Sequence, residues 1–159
     1  KITTAALAAH LELSEAALYR HFASKAQMFE GLIEFIEQTV FGLINKITQE
    51  EKSGVQQVEA IVSMLLGFAQ KNRGMVRVLI GDALVNEDER LQQRINQLLD
   101  RIEATLKQSL RMGAAVDVGA HANVLVCYVI GRWLQFAKSG FARDPMAQWP
   151  TQWAILLAK

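Results

Sequence analysis

An all-α fold, with a helix-turn-helix unit joined to a larger helical body, is what the sequence predicts. Three observations carry the prediction. Apolar residues recur mostly at spacings of three and four rather than two. Only two prolines occur in 159 residues, which leaves room for long uninterrupted helices. Near the start, Ser14-Glu-Ala-Ala-Leu-Tyr-Arg-His-Phe-Ala-Ser-Lys25 sets capping residues on either side of a short amphipathic segment. No segment has the alternation of a strand.

Composition narrows the function classes. A hydrophobic share of 51% is too high for intrinsic disorder and sufficient for one or two compact helical units. Seventeen basic and sixteen acidic residues leave a formal charge of +1, so bulk electrostatics neither demand nor exclude a nucleic-acid partner. The single cysteine, Cys127, excludes an intrachain disulfide and fits a reducing cytosol. Its neighbours Val126 and Tyr128 predict a buried, small hydrophobe rather than an exposed redox thiol. His10, His21 and His121 are scattered, and no Gly-rich phosphate loop, metal-spaced cluster or nucleophile motif occurs. The expectation is a protein that is not an enzyme and holds neither cofactor nor metal. The most apolar run, Ala122 to Ala137, is interrupted by Asn123, Arg132 and Gln135 and falls short of the roughly 18 apolar residues of a membrane span. It predicts a buried helix and no membrane partner.

Taken in order, Thr3 or Thr4 caps a first short helix over Ala5 to Leu11, whose small residues allow another helix to approach closely. Glu12-Leu13 forms the turn, and Ser14 caps a second helix with Ala17, Leu18 and Phe22 turned inward. A left-handed Glu12, where glycine is the easier choice, costs about 1 kcal/mol. Two such helices bury too little by themselves, so a helix before Lys1 is expected to complete the module.

Ser24 caps a long helix running to about Thr48, with the stripe Phe29, Leu32, Ile33, Ile36, Val40, Leu43, Ile44 and Ile47 on one face. Phe35 and Phe41 lie off that stripe, either packing on a neighbouring helix or, for Phe35, serving as an exposed anchor. The polar break Glu50 to Gly54 divides the chain into a unit over 1–47 and a helical core and dimerisation unit over 53–159. Helices are expected over about Val55 to Lys71, Met75 to Ile80 and Asp88 to Arg111. The last has Leu91, Ile95, Leu98, Leu99, Ile102, Leu106 and Leu110 on one face. Glu103 and Lys107 are spaced for a favourable pair. After a small-residue linker from Met112 to Gly119, two final helices, about Ala120 to Ser139 and Met146 to Ala158, carry Trp133, Trp149 and Trp153 and more apolar surface than one side can bury. Val126, Ile130, Trp133, Trp149 and Trp153 are the candidate dimer interface.

The Thr-rich first helix, the turn, Ser14 to Phe22 with aromatics at Tyr19 and Phe22, and Ser24-Lys25 opening a long helix together resemble the TetR family of bacterial transcription regulators. The resemblance implies a TetR-like helix-turn-helix DNA-binding domain followed by a helical dimerisation and regulatory domain. Ala16 to Phe22, Leu32 to Glu37, Leu66 to Phe68 and Leu91 to Leu98 are similar to the nucleoid occlusion branch of that family. That likeness implies a homodimer in the cytoplasm, associated with the nucleoid, that binds palindromic double-stranded DNA and antagonises the division protein FtsZ. A ligand-responsive TetR-type repressor shares the same fold and is the alternative, so a small-molecule ligand stays open.

A helix-turn-helix reads DNA through the N-terminal part of its second helix. Ser14, Glu15, Ala16, Tyr19 and Arg20 fall there: Arg20 suits phosphate or guanine, Ala16 a thymine methyl, and Glu15 the cytosine amino group. Thr3, Thr4, Tyr19, His21 and Lys25 are candidates for phosphate, with His21 equally readable as a packing residue. Few cations remain in this segment, so much of the salt-dependent affinity is expected from a basic arm before Lys1. The resemblance places the FtsZ groove on Phe35, Met64, Gly67, Lys71 and Asn72. Phe35 supplies an apolar anchor, Gly67 close backbone approach, and Lys71 a point charge for an acidic tail segment.

Overall fold

The computed structural model describes residues 24–113 and 117–157, and the expectations that fall on Lys1 to Ala23, the reading helix among them, lie outside the described residues. The described residues form helices α1 (Lys25–Glu50), α2 (Gly54–Lys71), α3 (Arg73–Leu79), α4 (Glu89–Arg111), α5 (Val118–Lys138) and α6 (Trp149–Leu157). A 3₁₀ turn over Asp82–Leu84 separates α3 from α4. No strand occurs among them.

Helix starts follow their caps. The Ser24 hydroxyl accepts from the backbone N–H of Gln27, Ser53 from Gln56, Asp88 from Arg90 and Asp117 from Ala120. Each satisfies a donor that the first turn leaves without an intrahelical partner. Asp117 holds a left-handed backbone with φ of 51°, a conformation that aspartate tolerates better than most residues. Gly81, with φ of 87°, makes the bend into the 3₁₀ turn.

One hydrophobic cluster runs through α1 to α6. Met28, Phe29, Ile33 and Ile36 of α1 meet Ile61, Leu65 and Leu66 of α2, Met75 of α3 and Leu91 and Ile95 of α4, all of them fully buried. Among the described residues, the segment expected to divide the chain, near residues 47–53, is a corner between α1 and α2. A polar clasp closes that corner: Ser109 donates to Gln57 Oε1 at 2.8 Å, and Gln57 Nε2 donates to the Glu51 carbonyl at 3.0 Å. Gly54 makes the clasp possible, because a Cβ on it would stand 2.1 Å from the Ser109 carbonyl oxygen. Among the described residues, no buried side-chain nitrogen or oxygen lacks a partner, and no helix is long and apolar enough to cross a membrane.

Three expectations are corrected here. Leu43, assigned to the inward stripe of α1, stands outward and exposed, because a period of 3.6 carries it away from the seam that Val40 and Ile44 hold. Cys127 is exposed, not buried: its apolar neighbours in sequence turn to other sides of α5. Glu103 and Lys107 make no ion pair, and Glu103 instead accepts from Asn123 of α5 at 3.2 Å.

Candidate nucleic-acid and partner interface

The helix that continues from the reading segment is held along one flank by α4 and the turn before it. Lys25 Nζ lies 3.1 Å from Glu87 Oε2 and 5.8 Å from the Phe29 ring centroid. Further along, Glu30 pairs with Arg90 and Glu37 with Arg94, and the Arg101 guanidinium sits 3.7 Å over the ring of Phe41. Sequence reasoning missed this ladder. Its signal was present in Glu30 and Glu37, seven apart, facing Arg90 and Arg94, four apart, since both spacings keep charges on one helix face. Lys25 is thus engaged within the chain, and its Glu87 partner is only 13% exposed. A phosphate drawing Lys25 away would leave a largely buried carboxylate unpaired, which is costly.

Other sides of α1 and α2 carry the residues assigned to the partner groove. Phe35 is 48% exposed, an unusual state for so large an apolar side chain on a helix otherwise packed into the core. Met64 is partly buried against the core, Gly67 has open space where a Cβ would stand, and Lys71 is exposed. Asn72 is committed elsewhere: its Nδ2 donates to the Phe68 carbonyl at 2.9 Å and closes the end of α2. Its amide holds the end of its own helix.

The residues assigned to the dimer interface are placed as follows within the single chain. Trp133 is 1% exposed within the single chain and donates its indole N–H to the Leu65 carbonyl at 3.0 Å, so it is a core residue. Val126 is also buried, and Ile130 is half-buried. Trp149 and Trp153 are buried too, with ring centroids 5.5 Å apart. Beside the polar Asn123, Gln135 and Lys138, α5 leaves Val124, Cys127 and Leu134 exposed, with Gly131 half-buried between them. Their spacing of three, four and three puts them on one face. Nothing lies within 4 Å of a Cβ built on Gly131. Ile155 and Leu157 expose apolar surface on α6.

The two terminal helices are fixed to each other by polar contacts. Tyr128 donates to Gln152 Oε1 at 2.6 Å, and the Arg132 guanidinium donates to the carbonyls of Asp144, Pro145 and Ala147. Burial raises the Tyr128 hydroxyl above the usual tyrosine range, partly offset by the Arg132 charge. Beside this face, an open cleft of about 220 Å³ between α4 and α5 is lined by Asn96, Asp100, Glu103 and Asn123 among others. Among the described residues, no group of three or more His, Cys, Asp or Glu side chains is placed to hold a metal ion.

Comparison with known proteins decides the family. The profile of tetracyclin repressor-like C-terminal domains matches residues 52–159, and that of bacterial regulatory proteins of the tetR family matches residues 1–32. The chain belongs to the TetR family. Within it, the chain groups with proteins named nucleoid occlusion factor SlmA. It is 50% identical to the one from Marinomonas sp. (strain MWYL1), covering 98% of this chain and 83% of the relative. It is 50% identical to that of Alteromonas mediterranea over 97% and 83%, and 45% identical to that of Aliivibrio fischeri (strain MJ11) over 100% and 85%. Among solved structures, FadR from Bacillus subtilis in complex with stearoyl-CoA superposes with a TM-score of 0.67 at 13% identity, covering 99% of this chain and 88% of that one. At that identity the likeness concerns the TetR fold alone.

Proposed function

We propose that this TetR-family protein is a nucleoid occlusion factor, a dimer that binds palindromic chromosomal sites and, when bound, antagonises FtsZ assembly so that no septum forms over the nucleoid. The observation that carries the partner half of this reading is Phe35, a half-exposed aromatic on the helix that continues from the reading segment. An exposed aromatic on α1, with open space at Gly67 and an exposed Lys71 on α2, suits a peptide with apolar and acidic residues. DNA reading rests on Ser14, Glu15, Ala16, Tyr19 and Arg20, with Thr3, Thr4 and His21 on phosphate. Lys25 is reassigned to steadying the start of α1 through Glu87.

The dimer forms through Val124, Cys127, Gly131 and Leu134 of α5 with Ile155 of α6, the apolar face that a single chain leaves uncovered. Two-fold symmetry then sets the reading helices about 34 Å apart, one turn of DNA. Such a protein works in the cytoplasm on the nucleoid.

Co-sedimentation with FtsZ, in the presence and absence of specific DNA, tests the reading. Specific DNA is expected to enhance association, and Phe35→Ala and Lys71→Ala to weaken it while DNA titrations stay unchanged. If both variants retained full FtsZ association, the groove would be in the wrong place. Arg20→Ala is expected to weaken specific DNA binding.

A further inference from the structure

Of the helices that carry the proposed dimer face, α6 has the least to hold it in place. It is 9 residues long, too short to be stable alone in water, and buries Trp149 and Trp153. Apolar contact is non-directional, so two tryptophans keep α6 on the body without fixing its register or tilt. Hydrogen bonds do fix them. His121, Tyr128 and Arg132 stand on one side of α5, seven and four residues apart. All three donate to α6 or to the chain that enters it. His121 Nε2 donates to the Leu156 carbonyl at 3.0 Å and Tyr128 to Gln152 Oε1. Arg132 donates to the carbonyls of Asp144 at 3.0 Å, Pro145 at 3.2 Å and Ala147 at 2.8 Å.

Arg132 enters no ion pair among the described residues, so its planar fork is given to main-chain carbonyls. The segment that it gathers is strained. Gln148, between Ala147 and the first residue of α6, has a left-handed φ of 63°, which a side chain larger than glycine resists. Such a conformation lasts only where its surroundings over-determine it. Asp144 Oδ1 supplies one anchor, accepting from Gln70 of α2 at 2.9 Å and from the Met146 N–H at 2.8 Å. Arg132 supplies the other, at the Ala147 carbonyl beside Gln148. Without it, Gln148 is free to relax and to turn the start of α6 with it.

We propose that Arg132 is a positioning residue that fixes the angle between α5 and α6, and through it the half-site spacing of the DNA that the dimer accepts. The proposal rests on the dimer and DNA readings above. The body is on the scale of α1, whose 26 residues span about 39 Å. Over an arm of that order, a tilt of about 5° at the interface carries the reading segment through about 3 Å, close to the ~3.4 Å between successive base pairs. A small change in the pose of α6 therefore amounts to one base pair at the DNA.

The probe is the palindrome that the full-length parent enriches from a pool of randomised duplexes, with versions lengthened or shortened by one base pair at its centre. The parent is expected to bind its own spacing at least about tenfold more tightly than either altered one, as for a mismatched position. Arg132→Met keeps the apolar stem and removes the donors. It should remain a dimer in sedimentation velocity while that preference falls below about threefold, because half-site spacing follows protein geometry. An equal loss of affinity at every spacing would make Arg132 a support of the fold alone, and an unchanged preference would show that α6 is set without it; either overturns the proposal. If Arg132→Met fails to fold or dimerise, Arg132→Lys decides, since it keeps the charge and stem and loses the fork. A weakened preference in that variant supports the proposal, and a parental one overturns it. If the sequences enriched by the parent are not palindromes, the dimer reading of DNA fails and this inference with it.

Discussion

Leu134→Glu should convert the dimer into a folded monomer. Leu134 keeps 43% of its surface exposed within one chain, on the order of 80 Å² of apolar area that a partner helix can cover at about 25 cal/mol/Å². That amounts to about 2 kcal/mol per copy. In a two-fold interface the same residue counts twice, so its loss costs about 4 kcal/mol, or roughly a thousandfold in dissociation constant. A carboxylate forced into the interface adds its desolvation to the deficit. Sedimentation velocity over a concentration series reads the result, with circular dichroism confirming that helix content is retained. Affinity for a palindromic site should fall in parallel, because one reading helix reaches one half-site. An undiminished dimer in Leu134→Glu would refute the assignment of this face. Trp133 cannot serve as the probe: it is enclosed by its own chain, and truncating it costs about 3–5 kcal/mol of folding whatever the oligomeric state.

Other perturbations test the fold and its polar ties. Gly54→Ala drives a Cβ into the Ser109 carbonyl, which is backbone and has little freedom to move, so thermal stability should fall by about 1–3 kcal/mol; an unchanged melting temperature would show that α2 and α4 are not so close. Trp133→Phe removes the indole N–H that the Leu65 carbonyl accepts beside its helical bond and should cost at least about 0.5–1.5 kcal/mol in chemical denaturation, whereas a neutral result would remove that hydrogen bond from the account of the core. Tyr128 has a folded pKa raised above its ordinary 10.0 by burial, so its contribution is present below that pH and is lost as pH rises through the folded value. Stability should therefore decline more steeply in alkali for the parent than for Tyr128→Phe, and parallel alkaline profiles would contradict it.

How much of this was legible in the sequence depended on what each residue type announces. The buried faces of α1 and α4 follow from helical spacing at Phe29, Leu32, Ile33 and Ile36 and at Leu91, Ile95, Leu98 and Ile102, because burial of a stripe is what makes an amphipathic helix stable in a protein. Ser24 marked a helix start as capping chemistry requires, whereas Ser53, read only as part of a polar break, caps α2. The surface of α5 was harder to read. Its residues are apolar on nearly every side, so periodicity does not distinguish the face against α2 from the face left open. Trp133 and Cys127 were accordingly exchanged between core and surface. The ion-pair ladder and the Gln57–Ser109 clasp join residues more than fifty positions apart, and only the packing of α4 against α1 and α2 brings them together.

The placement of Phe35 and the ladder on the same helix constrains how DNA and FtsZ can influence each other. From Ser24 onward α1 is continuous to Glu50 with no proline or cap to interrupt it, so a change of tilt at its start is carried along the helix to Phe35. That movement is opposed on the flank facing α4 by Lys25–Glu87, Glu30–Arg90 and Glu37–Arg94. The outer pairs are still partly open to solvent and individually worth about 0–1 kcal/mol, whereas Glu87 is largely buried and resists losing its partner. The resistance is therefore concentrated at Lys25, where the reading segment enters. Glu87→Gln leaves Lys25 without its counter-charge and frees it for phosphate, so DNA affinity and its salt dependence should both rise in this variant. The same variant should weaken any DNA-dependent enhancement of FtsZ binding, because α1 is then no longer anchored where a signal from DNA would enter it. Measuring both affinities in Glu87→Gln, with and without the other ligand, yields the coupling free energy directly. A coupling equal to that of the parent would mean that α1 does not carry it.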